Sequence, residues 1–243
     1  MLHNLTIKVA PGSKVGIVGR TGSGKSSLLK ALFRLAEVER GAITIDHKNI
    51  QNMGLRALRN QALSILPQTP FIFEGSLREN LDPFGEYSDE QLWEVIDDVQ
   101  LAEKIVASSD GLDTRVELGT PFFSVGEKQL FCLARAMLRD TPILVLDEAT
   151  ANVDEKTDAF IQKTLQSARF ASTTVLAVAH RLNTVIDYDE IIVMDSGTIV
   201  EAGSPQELLE KKDGLFYQML TSSQPCTETE LFYLSTFLKL INY

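Results

Sequence analysis

Apolar residues recur along this chain with two different periods, and the places where the period changes mark its elements. Residues 5–10 alternate apolar and polar positions (Leu5, Ile7, Val9), the pattern of a half-buried strand, and Pro11-Gly12 ends it as a turn. Val15-Gly16-Ile17-Val18 is a short continuous apolar run that reads as a buried strand, and residues 27–33 carry the spacing of an amphipathic helix. Residues 41–46 read as another strand, with a turn over 47–49. A short helix is expected around residues 55–60, then a strand over 63–66 that Pro67 ends.

From about residue 69 to residue 140 the pattern turns helical. Residues 89–99 carry Leu92, Val95, Ile96 and Val99 at helical spacing, and residues 124–138 place Leu130, Leu133, Ala134, Met137 and Leu138 on one face. This stretch reads as an inserted α-helical subdomain. Strand signals resume at 143–146, a continuous apolar run suited to a central parallel strand, and at 173–179. Residues 191–194 and 198–201 form a hairpin pattern across Asp195-Ser196-Gly197, followed by helices at 205–211 and 213–220. Strands alternating with helices mean an α/β fold with a mostly parallel sheet, here with an antiparallel β part and the helical insertion. The expected domain spans residues 1–221. Residues 222–243 form a tail that opens like a linker, and no role is assigned to it.

Composition narrows the class. The chain has 243 residues, 44% of them hydrophobic, enough for a full core. The net charge of −10, from 33 acidic and 23 basic residues, argues against a general nucleic-acid binder. Two cysteines, Cys132 and Cys226, offer no disulfide framework, so a reducing compartment is expected. No apolar run has the length of a membrane span, and the N-terminus carries no charged-then-apolar signal segment.

The chemistry is concentrated between the expected strand 15–18 and the helix after it. Gly19-Arg20-Thr21-Gly22-Ser23-Gly24-Lys25-Ser26 fits G-x-x-x-x-G-K-[ST], the phosphate-binding P-loop, and Ser27 continues it. Its glycines let the backbone curl so that N–H groups meet phosphate oxygens, and the following helix adds its positive dipole end. Lys25 reaches the β- and γ-phosphates in this reading, and the Ser26 hydroxyl sits on Mg²⁺. The expected ligands are ATP and Mg²⁺. A second piece follows at Leu144-Val145-Leu146-Asp147-Glu148, an apolar strand ending in two carboxylates. In a P-loop protein an acid at such a strand end holds Mg²⁺, which suits Asp147. Glu148 is placed to orient and deprotonate an attacking water.

These motifs, taken in order, resemble the nucleotide-binding domain of an ATP-binding cassette (ABC) transporter, a P-loop NTPase with a RecA-like core. The resemblance runs from residue 2 to about residue 221. It rests on the P-loop, Gln68 in Leu66-Pro67-Gln68, Ser124-Val125-Gly126-Glu127 at the signature position, Asp147-Glu148, Asp154 in Ala151-Asn152-Val153-Asp154, and His180 in Ala179-His180-Arg181. It implies that Gln68 touches Mg²⁺ or the water and relays nucleotide state to membrane domains. It further implies that His180 contacts the γ-phosphate, and that Asp154 crosses a dimer interface. The implied assembly is a head-to-tail pair with a second nucleotide-binding domain, bound to the transmembrane domains of an exporter at the cytoplasmic face of a membrane.

The signature has its own physics. Ser124 and Glu127 fit the S-x-x-E capping box of a helix start. A capped helix end still offers N–H groups and a dipole to an anion, and the resemblance implies that Ser124, Gly126 and Glu127 face the γ-phosphate held by a partner domain. The family's usual Leu-Ser-Gly-Gly-Gln reads Phe123-Ser124-Val125-Gly126-Glu127 here. Glu127 is therefore expected to add negative charge and weaken the site that this signature completes. The wording is most similar to the second nucleotide-binding domain of the C subfamily, the multidrug-resistance-associated exporters. The family's adenine-stacking aromatic residue lies upstream of where this chain begins. That points to a fragment, a truncated product or a separate subunit, with ATP affinity of the isolated chain reduced and a sheet edge left open. Two other functions fit the same motifs: a regulatory nucleotide-binding module of a channel-type relative, and a soluble ABC ATPase.

Overall fold

The computed structural model describes residues 2–117, 122–179 and 181–223. In chain order the strands are β1 (Lys14–Gly19), β2 (Thr44–Ile45), β3 (Lys48–Asn49), β4 (Leu63–Leu66), β5 (Gly75–Ser76), β6 (Arg115–Val116), β7 (Ile143–Asp147), β8 (Thr174–Val178), β9 (Glu190–Asp195) and β10 (Thr198–Gly203). The α-helices are α1 (Lys25–Leu32), α2 (Leu77–Leu81), α3 (Asp89–Asp98), α4 (Ala102–Val106), α5 (Val125–Arg139), α6 (Glu155–Leu165), α7 (Pro205–Glu210) and α8 (Leu215–Ser223). The chain divides into two units, residues 1–55 with 172–243, and residues 56–171.

In the first unit β1 runs parallel to both β8 and β9, with Ile17 opposite Val178 on one side and Ile192 on the other. A strand paired on both sides and covered on both faces must be apolar throughout, and Val15, Ile17 and Val18 are all buried. β10 returns antiparallel to β9, with Thr198 opposite Asp195. The turn between them holds Ser196 and Gly197 at φ 48° and 80°, the left-handed pair that a two-residue hairpin needs. β2 and β3 pair as a shorter hairpin, Ile45 opposite Lys48, with Asp46 and His47 at φ 48° and 65°. The turn therefore lies at 46–47 rather than 47–49, and Lys48-Asn49 is strand.

Two sequence expectations fail in this unit. Residues 5–10 do alternate, Leu5, Ile7 and Val9 half-buried between exposed neighbours, but no ladder forms on them. Alternation reports which face is covered, not whether a partner strand is within reach. The first two residues of the linker expected over 222–225 are still helix, because α8 runs to Ser223. The rest of the tail, including Cys226, lies outside the described residues.

In the second unit β4 and β7 are parallel, from Leu63 opposite Ile143 to Leu66 opposite Leu146. Thr141 Oγ1 donates to Ser64 Oγ at 2.8 Å, a buried bond that ties the start of β7 to β4. The short helix before β4 ends in a π-turn over Ala57–Ala62, closed by Leu63 N–H donating to the Leu58 carbonyl. α5 is buried almost all round, with Phe131, Leu133 and Ala134 fully covered, so it is a core helix rather than a one-faced surface helix. The region read as a helical insertion of turns and short helices also contains a strand pair, β5 with β6, Gly75 opposite Val116. Strands of two residues leave no periodicity to detect.

Candidate functional site

The P-loop starts where β1 ends. Gly19 has φ 154°, and a Cβ there would lie 2.2 Å from the Met194 carbonyl oxygen, so only glycine fits. Ser23 N–H donates to the Arg20 carbonyl at 3.1 Å and closes the loop. Thr21 and Gly22 are exposed at its outer rim, and Ser26 and Ser27 are exposed on the first turn of α1. Lys25 is 5% exposed, and its ammonium donates to the carbonyls of Gly19 at 2.6 Å and Arg20 at 3.1 Å. Ser23 is 2% exposed and its hydroxyl has no hydrogen-bond partner. The N-cap of α1 is Gly24 in the left-handed region, with no side-chain cap and no acidic residue in the first turn. The helix thus starts without a side-chain cap, with a cation folded against the loop and a buried hydroxyl that has no hydrogen-bond partner. That combination fits an anion of the phosphate type.

In the second unit the register of β4 with β7 decides the geometry. Leu66 lies opposite Leu146, so two residues further on Gln68 comes level with Glu148. The Gln68 amide Nε2 donates to Glu148 Oε2 at 2.6 Å. Asp147 ends β7, and Glu148 leaves the strand at φ 49°. The backbone turns there, and Ala151 N–H donates to the Glu148 carbonyl at 3.0 Å. The segment carrying Gln68 is pinned to α5 twice. Gln129 Nε2 donates to the Pro67 carbonyl at 3.0 Å. Arg135 donates to the carbonyls of Asn80 at 2.6 Å and Phe71 at 2.8 Å, and to Asn80 Oδ1 at 2.9 Å.

The signature residues build the start of α5. Ser124 is its N-cap, and the capping box closes in both directions: Glu127 N–H donates to Ser124 Oγ at 3.2 Å, and Ser124 N–H donates to Glu127 Oε2 at 2.7 Å. Lys104, on α4, donates to both Glu127 oxygens, at 2.8 and 2.7 Å. Burial is the strongest single influence on Glu127 and pushes its carboxyl up. The bonds from Lys104 and Ser124 together outweigh it and hold the group below the usual carboxylate range. The negative charge expected at Glu127 is thus met within this unit by an ion pair with Lys104. Gly126 explains itself by space, since a Cβ there would lie 3.0 Å from Thr157 Oγ1 and 3.3 Å from Asp154 Oδ2. Asp154 caps α6, accepting from the N–H groups of Lys156 and Thr157 at 3.1 Å each and from the Thr157 hydroxyl at 2.8 Å.

The structure therefore groups Gly19 to Ser27 in the first unit, and Gln68, Ser124, Gly126, Glu127, Asp147, Glu148 and Asp154 in the second. His180 lies outside the described residues. Sequence reasoning missed Lys104, Gln129 and Arg135, because none has a spacing motif of its own; each acts through a partner 23 or more residues away. Among the described residues no cluster of three or more His, Cys, Asp or Glu side chains could hold a metal, and no helix is long and apolar enough to cross a membrane. A Mg²⁺ ion needs less, because it keeps several waters and takes one or two carboxylates plus phosphate oxygens. Asp147 and Gln68 are oxygen donors of that kind within the second unit, and Ser26 is one within the first.

Comparison with known proteins agrees with this chemistry. Residues 2–151 match the family model for the ABC transporter. The probable multidrug resistance-associated protein lethal(2)03659 of Drosophila melanogaster is 51% identical over 224 residues, covering 92% of this chain and 16% of that protein. The human ATP-binding cassette sub-family C member 4 is 51% identical over 220 residues, covering 90% of this chain and 16% of that protein. Among solved structures, a bacterial Atm1-family ABC exporter with ATP bound superposes with a TM-score of 0.84 at 35% identity, over 91% of this chain and 38% of that one. The chain thus spans about a sixth of the length of these curated relatives.

Proposed function

Because this chain belongs to the ABC transporter family and is similar to C-subfamily proteins, we propose that it is an ATPase domain of the exporter type that powers export by binding ATP, pairing with a second nucleotide-binding domain and hydrolysing the nucleotide. The working domain is residues 1–221, as the second of two cassettes on the cytoplasmic side of a membrane, and it drives transmembrane domains that select the cargo.

The single observation that carries this reading is the uncapped start of α1, with the buried orphan hydroxyl of Ser23 and the Lys25 ammonium beside it. Arriving phosphate oxygens replace the Gly19 and Arg20 carbonyls as partners of Lys25 and accept from the backbone N–H groups of residues 22–27. Ser26, Asp147 and Gln68 would hold Mg²⁺, and the ion would supply positive charge to the phosphate oxygens. Glu148 takes a proton from a water as that water's oxygen attacks the γ-phosphorus and ADP leaves. Gln68 holds the Glu148 carboxylate through its amide, so nucleotide state and the position of the base are mechanically linked. His180 contributes a contact to the γ-phosphate, and Asp154 lies at the pairing surface.

The test is Glu148→Gln in the intact protein that carries this chain. Turnover should fall about 10²- to 10⁴-fold, the usual contribution of a general base, while MgATP binding persists and the paired state accumulates. Unchanged turnover removes Glu148 from the mechanism, and loss of binding shows that the residue serves the fold instead.

A further inference from the structure

Glu127 poses a problem that the structure answers. A carboxylate in the first turn of α5 suits the helix's own dipole, but it opposes any second anion brought to the same end. In this chain the two carboxylate oxygens both receive Lys104 Nζ, at 2.8 and 2.7 Å, so the pair is a bidentate charge cancellation and not a distant compensation. The Lys104 ammonium is also held from a second direction, 5.5 Å from the ring centre of Phe123 and 5.9 Å from that of Phe122, the two residues before Ser124. The side chains of Lys104 and Glu127 are 40% and 29% exposed, so the pair lies at the surface where a ligand can feel it. Removing either partner changes the charge at the start of α5 by a full unit.

We propose that Lys104 is a positioning residue of the nucleotide site that this signature completes: it cancels the Glu127 charge so that the start of α5, with Ser124, can face the triphosphate held by a partner domain. This inference rests on the composite site of the proposed function. The chain does not need an uncharged glutamine at position 127, because α4 supplies a cation for the glutamate it has. Lys104 touches no nucleotide in this account; it acts through Glu127.

The experiment is a charge cycle in the intact protein with its partner cassette, reading the MgATP concentration for half-maximal closure of the pair with hydrolysis arrested, and turnover at saturating MgATP. K104M leaves Glu127 bare and should raise the half-saturating concentration about tenfold, with maximal turnover within twofold. E127Q leaves Lys104 bare and should lower that concentration about threefold, because glutamine still closes the capping box. The double variant K104M/E127Q should return to the wild-type value within about twofold, which a packing role of Lys104 on the two phenylalanines cannot produce. K104M without effect, or a double variant as weak as K104M, overturns the inference. Failure of the wild type to close on MgATP overturns the composite-site reading beneath it, and is distinguished by being independent of either substitution.

Discussion

Two helix starts in this chain have opposite chemistry. α1 begins at Gly24 in the left-handed region, with no side-chain cap and no acidic residue in its first turn. α5 begins at Ser124 with a closed capping box, and its Glu127 is ion-paired to Lys104. Of the longer helices, α3 and α6 follow the second pattern, with Ser88 and Asp154 as caps. Capping satisfies N–H groups that would otherwise need an outside partner, and α1 carries no such side-chain cap. At α5 the same groups are partly satisfied in advance. What remains is a weaker anion surface whose charge is set by a side-chain pair. The difference teaches what the proposed function requires of each start: in that reading the first grips a phosphate within this chain, and the second is stable alone and meets a phosphate brought from outside.

The comparison breaks most completely at Gly19. Gly19→Val puts a branched side chain at a left-handed φ and against the Met194 carbonyl, a strain of about 3 kcal/mol or more. A fall in Tm of about 6–12 °C is expected for a domain of this size, measured by thermal unfolding, together with loss of nucleotide binding. Lys25→Met removes the cation and leaves the fold: MgATP should bind about 30- to 150-fold more weakly, the worth of a charge-assisted hydrogen bond of roughly 2–3 kcal/mol, measured with a fluorescent nucleotide. Ser124→Ala tests the other start. Loss of the cap costs about 1 kcal/mol, so Tm should fall by about 2–4 °C while binding of MgATP at the P-loop of the same chain stays unchanged.

The smallest effect is in pH. Glu127 is held below the usual carboxylate range in the folded protein, because Lys104 and Ser124 outweigh the upward push of burial. A depressed folded pKa contributes stability that is fully present above the unfolded pKa and is lost as pH falls through the folded one. The stability difference between wild type and K104M should therefore be largest at neutral pH. It should shrink as acid carries the group from its ordinary titration range through its lowered one, as urea midpoints across that window would register.

Much of this was legible in the sequence because it is local. The P-loop, the capping box at Ser124 and Glu127, the strand over 143–146 and the hairpin across Asp195-Ser196-Gly197 are each written in adjacent residues, and each is where the pattern places it. What escaped depends on pairing over distance. The Gln68 amide meets Glu148 only because β4 and β7 share a particular parallel register, and no residue in either strand encodes that offset by itself. Lys104 is an ordinary lysine until α4 brings it to Glu127, 23 residues on. Residues 5–10 show the converse, a correct alternation without the ladder it implies.

The central claim is that α1, and not α5, presents an anion site complete within this chain. Amide hydrogen exchange on the dilute chain, with and without MgATP, tests it directly. The account predicts that MgATP slows exchange at residues 22–27 and leaves residues 125–127 unchanged until a partner cassette is added. Nucleotide bound with no protection at 22–27, or with protection appearing first at 125–127, would contradict it.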